Sequence, residues 1–167
     1  MSRPPISVRR AGALDARPMA ELLNEVIAQG GTTAMTAPVT GIDLRDWMRT
    51  PKSIWHVAEC GAEDESGALL GFQWVEPHPQ HGESVAQIAS FARVGRTGIG
   101  TGSALFEATR AACARAGYFW INAEIRADNE GGLIYYQSRG FETYGHIRGY
   151  RLGDGSTVDK VLKRYDL

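Results

Sequence analysis

The chain has 167 residues, 43% of them hydrophobic and 22% charged, which is ordinary globular usage and excludes the charge-rich, core-poor composition of disorder. At about 100–200 residues per domain, this length predicts a single domain over residues 1–167. The 18 Lys and Arg against 19 Asp and Glu leave a net charge of -1, so no overall field favours nucleic acid or an anionic membrane, and no apolar run approaches the ~20 residues of a membrane span.

Met1 to Arg10 carries charge with no apolar stretch behind it, which reads against a secretory leader and predicts a cytoplasmic protein. Cys60 and Cys113 lack Cys-x-x-Cys or Cys/His spacing, so neither a disulfide framework nor a bound metal is expected.

Along the chain, Ile6 to Arg10 alternates apolar and polar residues, the period of a half-buried strand. Asp15 then offers a helix cap, followed by Met19, Leu22, Leu23, Val26 and Ile27 on one helical face, with a stop near Gly30-Gly31. Thr32 to Gly41 reads as a loop, and Ile42, Leu44 and Trp47 as a short helix ended by Pro51. Ile54 to Cys60 and Leu69 to Val75 are strands of a hairpin, Pro77 to Gly82 is a second turn cluster, and Val85 to Val94 is a third strand in series.

Gly95, Gly98, Gly100 and Gly102 precede a helix over Ser103 to Ala116, where Leu105, Thr109, Ala112, Cys113 and Ala116 share a face. Tyr118 to Ile125 is the next strand, Asp128-Asn129 caps a short helix to Ser138, and Phe141 to Arg148 with Val158 to Tyr165 form a closing hairpin. The order predicts an α/β (α+β) fold with a mixed, mostly antiparallel sheet of about seven strands and helices on both faces.

The segment Thr97-Gly-Ile-Gly-Thr-Gly-Ser103 joins a strand to a helix, where unpaired backbone N–H groups and the positive helix end favour an anion. Neither glycine register completes the dinucleotide-binding fingerprint, and no Gly-Lys pair makes a P-loop. A pyrophosphate cradle with Arg93 and Arg96 beside it, or a plain glycine-rich turn, remains.

Gly100-Thr-Gly-Ser-Ala-Leu-Phe106, with Asn129 followed seven residues later by Tyr136 and then by Gly140-Phe141, resembles the two signatures of the GCN5-related N-acetyltransferase superfamily. In this register Thr97 replaces the Arg or Gln that usually opens the first motif. The resemblance implies acetyl-CoA as cosubstrate. Its diphosphate would be held by the backbone of Thr97, Gly98, Ile99, Gly100, Thr101, Gly102 and Ser103, its pantetheine arm by Phe91 and Ala92, with Asn129 contacting that arm or an ordered water. It implies Tyr136 as the general acid for the leaving thiolate. Taken singly, Asn129 also reads as a helix cap and Tyr136 as a core residue.

Relatives acting on small amino-acid analogues carry a Glu on the central strand where this chain has Gln87, and an amide accepts no proton. Glu83, Glu124, His78 and His81 stay open as the base. The flanks resemble the phosphinothricin and methionine sulfone acetyltransferase branch, which implies a small-molecule amine, an amino-acid analogue, walled by Thr32, Thr33, Trp47, His78 and Lys160. Trp55, Trp74 and Trp120, on strands, read as core. A homodimer is expected, since such domains commonly pair and the final strands offer edges. The rival reading is a non-catalytic acyl-CoA-binding module that kept the fold and lost the base.

Overall fold

The computed structural model describes residues 5–61, 68–95 and 100–167. The strands are β1 (Ile6–Arg10), β2 (Ile54–Cys60), β3 (Leu69–His78), β4 (Gly82–Ala92), β5 (Trp120–Arg126), β6 (Glu142–Arg151) and β7 (Thr157–Asp166). They form a seven-stranded sheet in the order β1-β2-β3-β4-β5-β7-β6. The helices are α1 (Ala16–Gln29), α2 (Gly41–Met48), α3 (Thr101–Ala116) and α4 (Glu130–Ser138). Every neighbouring pair is antiparallel except β4 with β5, as a mixed, mostly antiparallel sheet requires.

Strand alternation divides the core into two layers. Phe72 and Trp74 of β3 point to one face and join Trp55 with Met19, Leu22, Leu23 and Val26 of α1. Val75 of the same strand points to the other face and joins Phe106, Ala112 and Cys113 of α3 with Tyr136 of α4. Helical periodicity in α1 was a reliable guide, because its apolar stripe is the buried one. On α3, Ala116 is exposed although it was expected on the buried face.

Two local details differ from expectation. The strand β3 runs on past Val75 through Pro77 to His78. Pairing with β2 ends at Val75, so Pro77 has a neighbouring strand on one side only, where it faces Ala86 just before the β3–β4 register shifts. Asp15 makes no capping bond to α1; its carboxylate instead accepts the Gly12 N–H at 2.7 Å and pairs with Arg9 at 2.8 Å. The turn of the β2–β3 hairpin at 62–67 lies outside the described residues, while the two strands pair antiparallel. Cys60 and Cys113 are both buried free thiols, and among the described residues no helix is long and apolar enough to cross a membrane.

His56 on β2 gives the fold a pH dependence. Its ring is buried and its Nδ1 has no hydrogen-bond partner among the described residues. Burial first, then the charges of Arg10 and Arg115, push its pKa down to about 4. An unfolded histidine titrates near 6.5, so between those values the unfolded chain binds the extra proton. The melting temperature should therefore fall as pH drops from 6.5 towards 4. His56→Phe should flatten that portion of a pH series of thermal melts, and an unchanged slope would reject the assignment.

Candidate active site

The parallel pair β4 and β5 is a fork. Its ladder has three rungs, Val85 with Trp120, Ala86 with Ile121 and Gln87 with Asn122. Beyond Gln87, β4 pairs only with β3 through Ala92, while β5 goes on with β7 through Arg126. The β5-facing edge of β4 from Ile88 to Ala92 therefore has no ladder partner among the described residues, and such an edge accepts an extended amide-bearing ligand as an added strand.

At the fork's mouth lies a cavity of about 520 Å³ walled by Ser90, Phe91 and Ala92 of β4, Thr101 and Gly102 of α3, and Tyr135 of α4. Gln73, Thr32 and Asn129 also face it. Gly100, the residue before α3, has φ +91°, a left-handed conformation that glycine adopts without strain. The helical ladder begins with the Ala104 N–H on Gly100 O at 3.1 Å. The N–H groups of Thr101, Gly102 and Ser103, in the first turn, have no intrahelical acceptor and are suited to an anion.

Of the residues expected to hold the cofactor, Phe91, Ala92, Thr101, Gly102 and Asn129 line this cavity. Gly100 and Ser103 stand at the start of α3, and Thr97, Gly98, Ile99 and Arg96 lie outside the described residues. Arg93 is turned away from the expected anion role: its Nε donates to Leu69 O at 2.7 Å and its guanidinium lies 3.6 Å from Glu25. Arg139, unflagged by the sequence motifs, reaches Ser103 Oγ at 2.7 Å and brings a cation to the α3 start. It sits just before Gly140-Phe141, and only the packing of α4 beside α3 brings it there.

Gly102 also has a packing role. A Cβ on it would lie 2.6 Å from Tyr135 Cε1. The Tyr135 hydroxyl is fixed, donating to Gly102 O at 2.7 Å and accepting from Gln73 Nε2 at 3.2 Å. Helix propensity favours alanine by about 1 kcal/mol, but forced overpacking costs about 1–3 kcal/mol. Since the ring can move only by giving up both hydrogen bonds, Gly102→Ala should lower the melting temperature. A thermal melt showing a higher one would mean that the ring yields freely.

Tyr136 stands behind the cavity wall. Its hydroxyl is 2.8 Å from Ser90 Oγ, and Ser90 Oγ accepts from Gln73 Nε2 at 2.7 Å. Burial raises the Tyr136 phenol well above its ordinary value, opposed in part by Ser90, so the proton stays on oxygen at neutral pH. The neighbouring Tyr135, which faces the cavity directly, is also raised by burial. Gln73 is fully buried, and its Oε1 has no partner among the described residues. An unpartnered acceptor beside an unpaired strand edge and a helix amino terminus suits the amides and diphosphate of an acyl-CoA.

The opposite face of the fork carries the remaining candidates. Gln87 Oε1 accepts from Asn122 Nδ2 at 2.6 Å, and Asn122 in turn accepts from the Tyr144 hydroxyl. His78 is buried, and burial first, then His81, lowers its pKa. Trp47 of α2 packs on Trp74 with ring centroids 6.0 Å apart, at the margin of an aromatic stack. Thr33 O accepts from the Arg126 guanidinium at 3.0 Å and Thr32 O from the Asn129 side-chain amide at 3.2 Å, so two side chains tie their loop's carbonyls to the end of β5 and the start of α4. Asn129 meanwhile caps α4 through Gly132 N at 3.0 Å. Trp55 and Trp74 are core as expected; Trp120 is half-buried, with Arg164 over its ring at 4.1 Å.

No family model and no curated protein matches the sequence. Solved structures do match across nearly the whole chain. A GCN5-related N-acetyltransferase from Kribbella flavida superposes with TM-score 0.81 at 24% identity, covering 97% of this chain and 98% of that one. A GNAT superfamily phosphinothricin acetyltransferase from Sinorhizobium meliloti, in complex with acetyl-CoA, gives TM-score 0.85 at 20% identity over 97% and 88%. A ribosomal-protein-alanine N-acetyltransferase from Brucella melitensis gives 0.85 at 17% over 96% and 99%. The chain has the fold of the GCN5-related N-acetyltransferases.

Proposed function

We propose that this chain is an acyltransferase that moves the acetyl group of acetyl-CoA to the primary amine of a small molecule, an amino-acid analogue. The observation that carries the reading is the forked β4–β5 pair opening onto a cavity at the amino terminus of α3. The acetyl-CoA complex of the S. meliloti neighbour, with the same fold, supports the choice of cosubstrate.

Acetyl-CoA supplies an activated thioester. The amides of Thr101, Gly102 and Ser103, with those of Thr97, Gly98, Ile99 and Gly100, hold its diphosphate. Phe91 and Ala92 offer main-chain partners to the pantetheine arm, with Asn129 at its flank. Tyr136, in contact with Ser90, supplies the proton for the leaving sulfur. Thr32, Thr33, Trp47 and His78 bound the acceptor side. The whole chain acts as one catalytic domain. It works in the cytoplasm, a reading supported by two free thiols. The largely exposed ten-residue edge strand β6 supports a homodimer.

Isothermal calorimetry with acetyl-CoA, followed by thiol-release assays on glutamate, methionine sulfone, n-propylamine and an alanine-initiated tripeptide, tests this reading. Saturable binding and transfer to one of the amino acids is the expected result. Absence of binding rejects it. Binding with no transfer favours the acyl-CoA-binding module, for which the amide at Gln87 is the supporting residue.

A further inference from the structure

The amine must lose a proton before its nitrogen attacks, and on the acceptor face of the fork Gln87 cannot take it. Glu124 is the next residue on that face of β5 beyond the last rung at Asn122. Across the gap, the same face of β4 carries Ala89, whose methyl leaves room at the opening. Glu124 Oε2 lies 3.2 Å from Lys160 Nζ on β7, and Oε1 lies 3.9 Å from His78 Nε2 on β3. Lys160 is itself buried, with its ammonium 3.5 Å from the centre of the Tyr150 ring. The carboxylate is thus held from two strands, on a partly buried side chain, beside the place where β4 and β5 part.

The other acid–base groups are disposed differently. His78 Nδ1 accepts both the Gln80 and the His81 N–H, at 3.1 and 3.0 Å. In a neutral imidazole the proton then sits on Nε2, so His78 presents a donor towards Glu124 and has no free acceptor. His81 and Glu83 are exposed, at the turn and first residues of β4, at the closed end of the fork.

We propose that Glu124 is the proton acceptor for the incoming amine, with Lys160 and His78 as positioning residues, a role that rests on the acetyl-transfer reading above. The carboxylate takes one proton from the substrate ammonium. The freed nitrogen bonds to the thioester carbon, the C–S bond breaks, and the sulfur leaves with its electron pair and takes a proton from the Tyr136–Ser90 pair. The nitrogen's second proton restores that pair, and the proton on Glu124 passes to solvent. One ammonium and one acetyl thioester give one amide, one thiol and one released proton.

The charged or titratable groups facing the carboxylate are Lys160 from β7, His78 from β3 and Tyr144 from β6; beyond them, Tyr150 lies under Lys160, His81 packs on His78, Arg164 acts on Tyr144, and Arg126 on β5 is paired with Asp128. Glu124→Gln keeps the shape, and the double variant Glu124→Gln/Lys160→Met removes both charges, so that no buried ammonium is left unpaired. With the best amine of the panel, both variants should lose about 100-fold or more in kcat at pH 7 while the acetyl-CoA Kd stays within about twofold. Because the free-amine fraction grows about tenfold per pH unit below the amine's pKa, their kcat should recover towards pH 9. A kcat within about threefold of the parent at pH 7, or a loss that does not recover with pH, overturns the proposal.

A second readout separates the proposal from the transfer reading. In protein labelled with ¹³C-glutamate and saturated with CoA, n-propylammonium should shift the Glu124 carboxyl resonance, identified by its loss in Glu124→Gln. A shift without transfer on the panel leaves Glu124 as the ammonium-facing carboxylate and rejects only the acetylation reading. No shift at Glu124 overturns the proposal whether or not transfer occurs.

Discussion

Phe72→Ala is expected to destabilise the protein by about 3–5 kcal/mol, the range for emptying a large buried aromatic site. Phe72 is fully buried in β3, with its ring centroid 5.3 Å from Phe91, 5.9 Å from Trp74 and 6.5 Å from Trp55. The rings of Trp55 and Trp74 stack at 4.3 Å and cannot spread into the void without breaking that contact. α1 supplies the far wall through Met19, Leu22 and Leu23, and a helix cannot collapse inward residue by residue. Urea unfolding followed by tryptophan fluorescence should show a lower midpoint with an unchanged slope. A loss below about 1 kcal/mol would mean that the aromatic layer repacks. Because Phe91 rests on Phe72 and also lines the cavity, acetyl-CoA affinity should fall in the same variant.

Tyr136→Phe is expected to lower kcat by about 100-fold or more, the scale of losing a positioned proton donor, while acetyl-CoA binding persists. The substitution removes one oxygen and retains the ring, which packs edge-on against Phe141 with centroids 5.1 Å apart. Ser90 Oγ still accepts from Gln73 at 2.7 Å, and because Ser90 lines the cavity its O–H is free to turn towards solvent there. Stability should therefore change by about 1 kcal/mol or less, and calorimetry with acetyl-CoA should give nearly the parent Kd. If turnover survives, the proton for sulfur comes from elsewhere; the Tyr135 hydroxyl, which faces the cavity, is then the group to replace. Burial raises both phenols, so neither is expected to ionise in a neutral assay.

The order of elements was legible because most of it rests on local rules. The apolar stripe of α1, the glycines ending α1 and α3, and the Asn129 cap on α4 each involve residues within a few positions of one another. The strand β3 outruns its sequence signal because Pro77 marks a turn locally, whereas in the sheet it faces Ala86 on β4 beyond the end of pairing with β2. Asp15 was read as a cap from its position before an apolar stripe, yet Arg9, six residues earlier on β1, draws its carboxylate into an ion pair.

The candidate site divides in the same way. Glycine spacing and the Asn129, Tyr136, Gly140-Phe141 series marked the stretch that forms the cavity wall, because these are signatures written in consecutive chain. Arg139 beside Ser103 and Gln73 beside Tyr135 carry no such mark. Nor does any local rule distinguish Glu124, a polar residue on a strand, from a solvated one.

From the sequence alone come the seven-strand α+β plan, the helix boundaries to within a few residues, and the glycine-bearing strand-to-helix junction, since each depends on periodicity and backbone preference along the chain. Tertiary structure decided that β4 and β5 part after Gln87 and Asn122, and that Ser90 stands between Tyr136 and the cavity. It also brought Glu124, Lys160 and His78 together from three strands. These are pairings between residues far apart in sequence, set by sheet order and side-chain packing, and no window of the sequence contains them.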